Sequence, residues 1–195
     1  HAEPKRVAWI QCVGSRDRQC GNDYCSGVCC MYAIKEAIMA VDHVAGLEAT
    51  VFYNDIRAYG KGFESYYEGA KEKYGVKFRR GIISTVKQKQ KTKNLVLTYV
   101  AEDGEVSEEE FDLVVLATTL VPKKETAELA KVLGLKVDEF GFLESPDRIL
   151  GPGRSVKPGV YLAGYAAGPA DIPESVAQGS SAAAKAVEAI AQAGG

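Results

Sequence analysis

The residues most able to do chemistry are five cysteines, which all lie within one short window of this 195-residue chain. They are Cys12, Cys20, Cys25, Cys29 and Cys30. Thiolates are soft ligands that bind iron–sulfur clusters and zinc, and they also form disulfides. A polar, glycine-containing segment that holds every thiol of the chain therefore indicates a metal or cofactor site.

Four explanations compete for the spacing Cys12-x7-Cys20-x4-Cys25-x3-Cys29-Cys30. Disulfides are disfavoured because nothing in the chain indicates secretion. Inert buried thiols are an alternative, although a polar loop is an unusual place for core residues. Structural zinc prefers paired C-x2–4-C knuckles, and only half of that pattern is present. An iron–sulfur cluster needs four converging thiolates and tolerates irregular spacing, so we place it first. No C-x-x-C pair is present, so dithiol exchange chemistry is not expected.

The elements around the cysteines predict a βαβ unit. Arg6–Val13 is a short apolar run typical of a buried strand, Tyr32–Val44 has helical spacing, and Ala49–Asp55 is a second strand. The first loop of such a unit often carries G-x-G-x-x-G and holds a pyrophosphate at the helix N-terminus. Only Gly14 and Gly27 stand in this loop as remnants of that motif. We therefore predict no tight binding of NAD(H) or NADP(H) there.

The next part of the chain predicts a helix and several strands with hairpin turns between them. Leu113–Leu116 is a continuous apolar run, which is typical of a buried parallel strand. The class is therefore α/β, with a parallel sheet and an antiparallel meander. The predicted segments are the helix Phe63–Gly75 and the strands in VKFRRGIISTVKQ, NLVLTYVAEDGEV and EFDLVVLAT.

After Pro122 the composition changes to a short helix, a Gly/Pro-rich connector and then Gly159–Gly164, which we predict to be a buried strand. An alanine-rich helix follows, with Asp171 as N-cap and Glu174 completing a capping box. Its alanines predict close packing under a sheet. Its first turn, Ile172–Ser175, is expected to offer free N–H groups to an anionic or electron-rich group. A purely structural capped helix is the alternative.

The bulk composition narrows the functional classes. The formal net charge is −2, which argues against nucleic acid as the main partner. No apolar run approaches the roughly 20 residues of a membrane span, and no signal peptide opens the chain, so a cytoplasmic location is expected. The chain begins at His1, and we expect it to be a processed or excised portion of a longer subunit.

Nearly the whole chain, from about Arg6 to Ile190, resembles one known family. That family is the flavin-carrying A subunit of heterodisulfide reductase and its homologues in sulfate reducers, including the quinone-interacting subunits associated with adenylylsulfate reductase. The segments that carry the resemblance are IQCVGSRD, YCSGVCCMYAIKEA, VFYNDIRAYGKGFESYY, FDLVVLATTLVP and GVYLAGYAAGPADIPESVAQGSSAAAKA.

The resemblance implies a fold like thioredoxin reductase, that is, a Rossmann-like parallel sheet with an antiparallel β-meander as in flavin disulfide reductases. It implies a [4Fe–4S] cluster with Cys12, Cys25, Cys29 and Cys30 as ligands, and it leaves Cys20 outside the ligand pattern. It also implies a domain over residues 6–122 that carries the cysteine loop, and a C-terminal portion of an FAD-binding domain over residues 123–195.

By the same resemblance, six residues near the end of the apolar strand and around the start of the alanine-rich helix approach FAD. Flavin disulfide reductases usually have Asp directly after the glycine where Tyr165 stands here, and Asp171 is expected to take its place. The N-terminal G-x-G-x-x-G half of the family is absent, so the FAD site is incomplete in this chain. The residues implied are Thr118, Gly164, Tyr165, Asp171, Ile172 and Ser175.

Two functional hypotheses follow. The first is an oxidoreductase subunit that passes electrons between a [4Fe–4S] cluster and FAD, with the other redox subunits of a heterodisulfide reductase-like complex as partners and a homodimer as a further arrangement. The second is a non-enzymatic zinc-binding or subunit-interaction module. Iron and sulfide analysis with a visible spectrum separates them, because zinc has no redox state and gives no cluster absorbance.

Overall fold

The computed structural model describes residues 3–194, which form two units. The first unit comprises residues 3–25 and 29–119, and the second comprises residues 26–28 and 120–194. The short segment 26–28, between two of the cysteines, is thus grouped with the C-terminal part of the chain. Within the second unit, the Leu120 N–H donates to Ser26 Oγ at 2.9 Å.

The first unit is built on a four-stranded parallel sheet in the order β3-β2-β1-β7. Two helices connect its strands, as expected for parallel crossovers. The strands are β1 (Arg6–Val13), β2 (Glu48–Tyr53), β3 (Lys77–Arg80) and β7 (Leu113–Thr118), and the helices are α1 (Cys29–His43) and α2 (Phe63–Glu72).

A second, antiparallel sheet belongs to the same unit, with the order β4-β5-β6. Its strands are β4 (Ile83–Gln88), β5 (Leu95–Val100) and β6 (Val106–Phe111). The parallel sheet and this meander confirm the predicted α/β class.

Both faces of β1 are buried, because successive side chains of a strand point to opposite faces. Val7 and Trp9 pack with the apolar residues of α1, whereas Ala8 and Ile10 pack with Phe52 and the residues of β5 and β6. The ring of Phe52 makes edge-to-face contacts with two aromatic rings on that second side. This double burial explains the unbroken apolar run that identified β1 in the sequence.

Two predictions about the first unit are corrected. The run Leu113–Leu116 is not buried: Leu113 is 46% exposed and Leu116 is 51% exposed, because β7 is an edge strand that pairs only with β1 among the described strands. Helix α1 begins at Cys29, three residues before the predicted start at Tyr32. The two adjacent cysteines therefore form the start of the helix.

The second unit contains α3 (Thr126–Leu133), a short 3-10 turn at Gly164–Ala166, and α4 (Ile172–Ala193). The predicted strand Gly159–Gly164 is wrong: the segment makes an isolated bridge between Arg154 and Tyr161, and no ladder forms there in the described chain. A strand needs a neighbour over several residues, and the Gly- and Pro-rich segment before it turns too often to provide one.

Helix α4 also differs from its prediction. No residue of this helix is buried, so its alanines do not pack under a sheet within the described residues. Its N-terminal capping box is confirmed, because Glu174 N–H donates to Asp171 Oδ1 at 2.7 Å and Asp171 N–H donates to Glu174 Oε2 at 3.1 Å. Across residues 3–194, we find no helix with the length and apolar character that crossing a membrane requires.

Candidate cofactor site

The cysteines cluster at the carboxyl edge of the parallel sheet. Cys12 is near the end of β1, while Cys29 and Cys30 open α1, whose N-terminus lies at the same edge because the helix runs antiparallel to the strands. Cys12 has φ +59°, a left-handed conformation that is uncommon for a residue with a side chain. A register irregularity between Ile10 and Val13 accompanies it. The strand therefore bends at the cysteine, and a turn follows in which Ser15 N–H donates to Cys12 O at 3.2 Å.

Four of the five thiols lie within electrostatic reach of one another. The pKa of Cys30 is raised mainly by burial and further by the charges of Cys12, Cys25 and Cys29. The pKa of Cys12 is also raised mainly by burial, with contributions from Cys25 and Cys29. The structure thus groups the four cysteines that the resemblance implies as ligands.

Cys20 is outside this group. It is exposed, and its Sγ–H donates to Asp17 Oδ2 at 3.2 Å. That hydrogen bond is the main reason that its pKa is raised, and no other cysteine contributes to the change. None of the five cysteines, all of which the structure describes, forms a disulfide.

A basic side chain, that of Arg16, lies beside Cys12. The positive charge of the Arg16 guanidinium opposes the rise that burial causes in the pKa of Cys12. Arg16 is held by a salt bridge of 2.8 Å between its Nη1 and Asp55 Oδ2. The backbone oxygen of Asp55 lies 3.7 Å from Cys30 Sγ. Sequence reasoning missed the role of Arg16, and its place four residues after Cys12 was the only available signal.

A backbone oxygen of β7 and an aromatic side chain of α1 lie close to Cys29. Its Sγ lies 3.9 Å from the backbone oxygen of Thr118, which sequence reasoning assigned to a flavin. Tyr32, one turn further along α1, lies close enough to Cys29 for that cysteine to raise its pKa, although burial is the larger cause of the rise. Sequence reasoning also missed Tyr32, although its position three residues after Cys29 on a helix could have indicated that the two side chains are neighbours.

The spacing of the possible metal ligands is relevant to whether a single metal ion or an iron–sulfur cluster could bind. Among residues 3–194, no three His, Cys, Asp or Glu side chains converge closely enough to hold a single metal ion as they stand. A four-iron cluster binds each thiolate through a different iron atom, so its ligands are further apart than those of one ion. Cys12 and Cys30 each interact with Cys25 and Cys29, so the four thiols could supply one ligand to each iron of such a cluster.

A buried polar side chain lies next to the cysteines in the chain. Gln11 is only 6% exposed, and neither its Nε2 nor its Oε1 has a hydrogen-bond partner within the described part of the chain. Native proteins rarely leave such groups unsatisfied. An orphaned buried amide beside a candidate cofactor site is a second feature that fits a bound group.

The residues assigned to FAD in the second unit form a compact local structure. Gly164 has φ +59° and its N–H donates to Gln178 Oε1 at 2.7 Å. A Cβ at this position would lie 3.2 Å from Ser175 Oγ, so glycine permits the close approach of the turn to α4. Tyr165 packs edge-to-face on Phe142, with ring centroids 5.8 Å apart. The structure thus brings Gly164 and Ser175 together, and Gln178 is a residue that sequence reasoning missed.

Most of the N–H groups that were expected to be free over Ile172–Ser175 are engaged or absent. The capping box occupies the N–H of Glu174, Ser175 N–H donates to Asp171 O at 2.9 Å, and Pro173 has no N–H. Ile172 itself is 81% exposed. The carboxylate of Asp171 therefore caps this helix end, where an anionic or electron-rich group had been expected to bind.

Comparison with known proteins identifies relatives of nearly the whole chain, although no family model matches it. The A subunit of H(2):CoB-CoM heterodisulfide,ferredoxin reductase from Methanothermobacter thermautotrophicus is 48% identical over 187 residues, which make up 94% of this chain and 28% of that protein. The iron-sulfur A subunit of CoB–CoM heterodisulfide reductase from Methanocaldococcus jannaschii is 45% identical over 92% of this chain and 28% of the relative. A protein of Archaeoglobus profundus, described as similar to the A subunit of heterodisulfide reductase, is 38% identical over 97% of this chain and 27% of the relative.

Solved structures give the fold. The thioredoxin reductase of T. acidophilum matches with a TM-score of 0.59 at 19% identity, over 95% of this chain and 51% of that one. The thioredoxin reductase of Lactococcus lactis matches with a TM-score of 0.63 at 21% identity, over 96% and 53%. These comparisons confirm the predicted resemblance and the FAD/NAD(P)-binding type of fold. The chain spans a little over a quarter of the length of the curated relatives it matches.

Proposed function

We propose that this chain, which is homologous to a segment of the A subunit of heterodisulfide reductase, is an electron-transfer part of an iron–sulfur flavoprotein oxidoreductase. In this proposal Cys12, Cys25, Cys29 and Cys30 hold a [4Fe–4S] cluster, from which electrons pass to or from FAD. The observation that carries it is the grouping of these four thiols within electrostatic reach of one another, with Cys20 apart from them.

The residues of the chain have distinct tasks in this proposal. When bound, a [4Fe–4S] cluster supplies a site that accepts and donates single electrons. The positive end of the α1 dipole lies beside Cys29 and Cys30 and opposes the rise that burial causes in the pKa of Cys30. Arg16 places a positive charge beside Cys12, where it offsets the negative charge of the ligand set. Burial of Cys29 and Cys30, each 7% exposed, limits the access of water to their sulfurs.

The second unit is proposed to contribute part of an FAD site, through Gly164, Tyr165, Asp171, Ile172 and Ser175, with Thr118 at the end of β7. Asp171 Oδ1 is engaged in the helix cap. Its other carboxylate oxygen is therefore the atom that we propose accepts a hydrogen bond from a hydroxyl of the cofactor. The proposed domains are a nucleotide-binding-like domain over residues 6–122 and the C-terminal portion of an FAD-binding domain over residues 123–195.

The relatives are named as subunits, so the proposed partners are other redox subunits of a heterodisulfide reductase-like complex. The proposed electron path runs between those subunits and the FAD by way of the cysteine-ligated cluster. Sequence beyond this chain is proposed to complete the flavin site.

The test is anaerobic reconstitution of the chain with iron and sulfide, followed by metal analysis and a visible spectrum. We expect about four iron and four sulfide per chain, with broad visible absorbance that bleaches on addition of a one-electron reductant. Stoichiometric zinc uptake in competition with iron, without cluster absorbance, would instead establish a metal-binding or interaction module.

A further inference from the structure

The side chain of Gln11 has no explanation in the fold alone. It is 6% exposed, and its carboxamide nitrogen and oxygen have no partner within residues 3–194. Leaving a buried polar group unsatisfied forfeits its hydrogen bonds to water and gains nothing in return. An apolar residue of similar volume would avoid this cost, so the amide is expected to have a partner that the chain itself does not provide.

The direction of the Gln11 side chain follows from the alternation of β1. Val7 and Trp9 pack on the side of α1, and Ala8 and Ile10 pack on the opposite side. Gln11 follows Trp9 by two residues, so it shares the face that α1 covers. On that face, Trp9 Nε1–H donates to Glu36 Oε2 on α1 at 3.1 Å.

The contact between Trp9 and Glu36 also gives the level of Gln11 along the helix. Two residues of a strand rise about 6.6 Å toward the carboxyl edge of the sheet. The antiparallel helix covers the same distance in between four and five residues, because it rises about 1.5 Å per residue. Counting back from Glu36 places Gln11 level with the first turn of α1, which contains Cys29, Cys30 and Tyr32.

We propose that the Gln11 carboxamide donates an N–H···S hydrogen bond to a sulfur of the cysteine-ligated cluster and thereby raises its reduction potential. This inference rests on the proposed function. Sulfide and thiolate sulfurs accept hydrogen bonds but do not donate them, so an amide N–H is a suitable partner. Hydrogen bonds to the sulfurs are one of the factors that set the potential of such clusters.

The physical effect has a definite sign. Reduction adds one electron, supplied by an external one-electron reductant, and the sulfurs become more negative while no covalent bond forms or breaks and no proton moves. The N–H donor interacts more strongly with the more negative state, so it favours reduction. Its removal is expected to lower the equilibrium constant for accepting the electron by up to about fivefold, which corresponds to about 1 kcal/mol. For a one-electron couple, in which tenfold corresponds to about 59 mV, fivefold is a shift of about 40 mV.

The experiment compares the reconstituted wild-type chain with Gln11→Met, which keeps the side-chain length and removes the donor. The matched control is Gln19→Met, at an exposed glutamine in the same cysteine window. Midpoint potentials are measured by redox titration followed by electron paramagnetic resonance. We expect a lower potential for Gln11→Met and an unchanged potential for Gln19→Met. An unchanged potential in Gln11→Met would overturn the inference.

Two further measurements keep the test decisive. The cluster-free Gln11→Met chain should be at least as stable as wild type, and a clear loss of stability would show that the amide already has a partner within the fold. If the variant does not fold, wild-type chain labelled with 15N-glutamine is used instead, and electron–nuclear coupling between the reduced cluster and an amide nitrogen supports the bond, whereas its absence refutes it. A wild-type chain that takes up no iron and sulfide refutes the proposed function and the inference with it, and that result is visible before any variant is measured.

Discussion

The ligand set predicts a sharp contrast among five single substitutions of cysteine by serine. Serine is nearly isosteric with cysteine but binds iron poorly, so each variant removes one ligand with little change in shape. Replacement of any proposed ligand should abolish most of the cluster, whereas Cys20→Ser should retain it. Cys20 is the matched control, because it lies in the same short window of sequence and carries the same substitution.

The cost of these substitutions to the fold can be worked out from the structure. Cys29 and Cys30 are each 7% exposed, and the backbone oxygens of Thr118 and Asp55 lie 3.9 and 3.7 Å from their sulfurs. A serine hydroxyl is more polar than a thiol and these two distances are too long for it to make good hydrogen bonds to those oxygens, so each buried substitution is expected to cost about 1–3 kcal/mol. A small domain has about 5–15 kcal/mol of stability, so the cluster-free variants should remain folded. At exposed position 20, a serine hydroxyl can donate to Asp17 in place of the thiol, and we expect almost no cost.

The assay is anaerobic reconstitution with iron and sulfide analysis, visible absorbance, and circular dichroism of the cluster-free proteins. The variants at positions 12, 25, 29 and 30 should lose most of the absorbance while keeping a native far-ultraviolet spectrum. If Cys20→Ser loses the cluster and Cys30→Ser keeps it, the ligand set is Cys12, Cys20, Cys25 and Cys29. Equal metal retention by all five variants would refute the cluster itself.

Three further predictions follow from other parts of the chain. NADH should show no saturable micromolar binding in a fluorescence titration, since cysteines replace the glycine fingerprint of the first turn, and saturation would refute this. Asp171→Ala removes the capping box with Glu174 and should cost about 1–2 kcal/mol in chemical denaturation, whereas Asp171→Asn should cost less. The carboxylate of Asp112 accepts from the N–H groups of Arg6 and Lys5, which lowers its pKa. Its stabilisation should be present above the unfolded pKa of about 3.9 and lost as pH falls through the lower folded value, so the stability difference between wild type and Asp112→Asn should shrink on acidification and an unchanged difference would contradict the assignment.

Features that depend on neighbours in the chain were predictable from the sequence. The apolar run of β1, the helical spacing of α1 and the second strand together indicated a βαβ unit, because each pattern reflects the period of its own element. The capping box of α4 was predictable for the same reason, since its two hydrogen bonds join residues three apart. The clustering of the thiols was also visible, because all five lie in one window.

Features that depend on pairing between distant segments were decided by the tertiary structure. Leu113–Leu116 is as apolar as a buried strand, but the exposure of its side chains depends on what packs against the two faces of β7, which lies at the edge of the sheet. The segment Gly159–Gly164 has strand-like composition and lacks a neighbouring strand among the described residues of its unit. Periodicity reports the preference of a segment, whereas a sheet needs a second segment at the right place.

The candidate site shows the same division. The sequence alone determined the types of its chemical groups: thiols on a strand–helix connection, and a capped helix after a glycine turn. Only the fold decided which groups lie together, because it bends β1 at Cys12, places Arg16 beside that thiol and buries Gln11. Residues four to twenty positions apart in a loop have no fixed geometry until the sheet and the helix hold both of its ends, and for that reason the buried, unpartnered amide of Gln11 could not be recognised in the sequence.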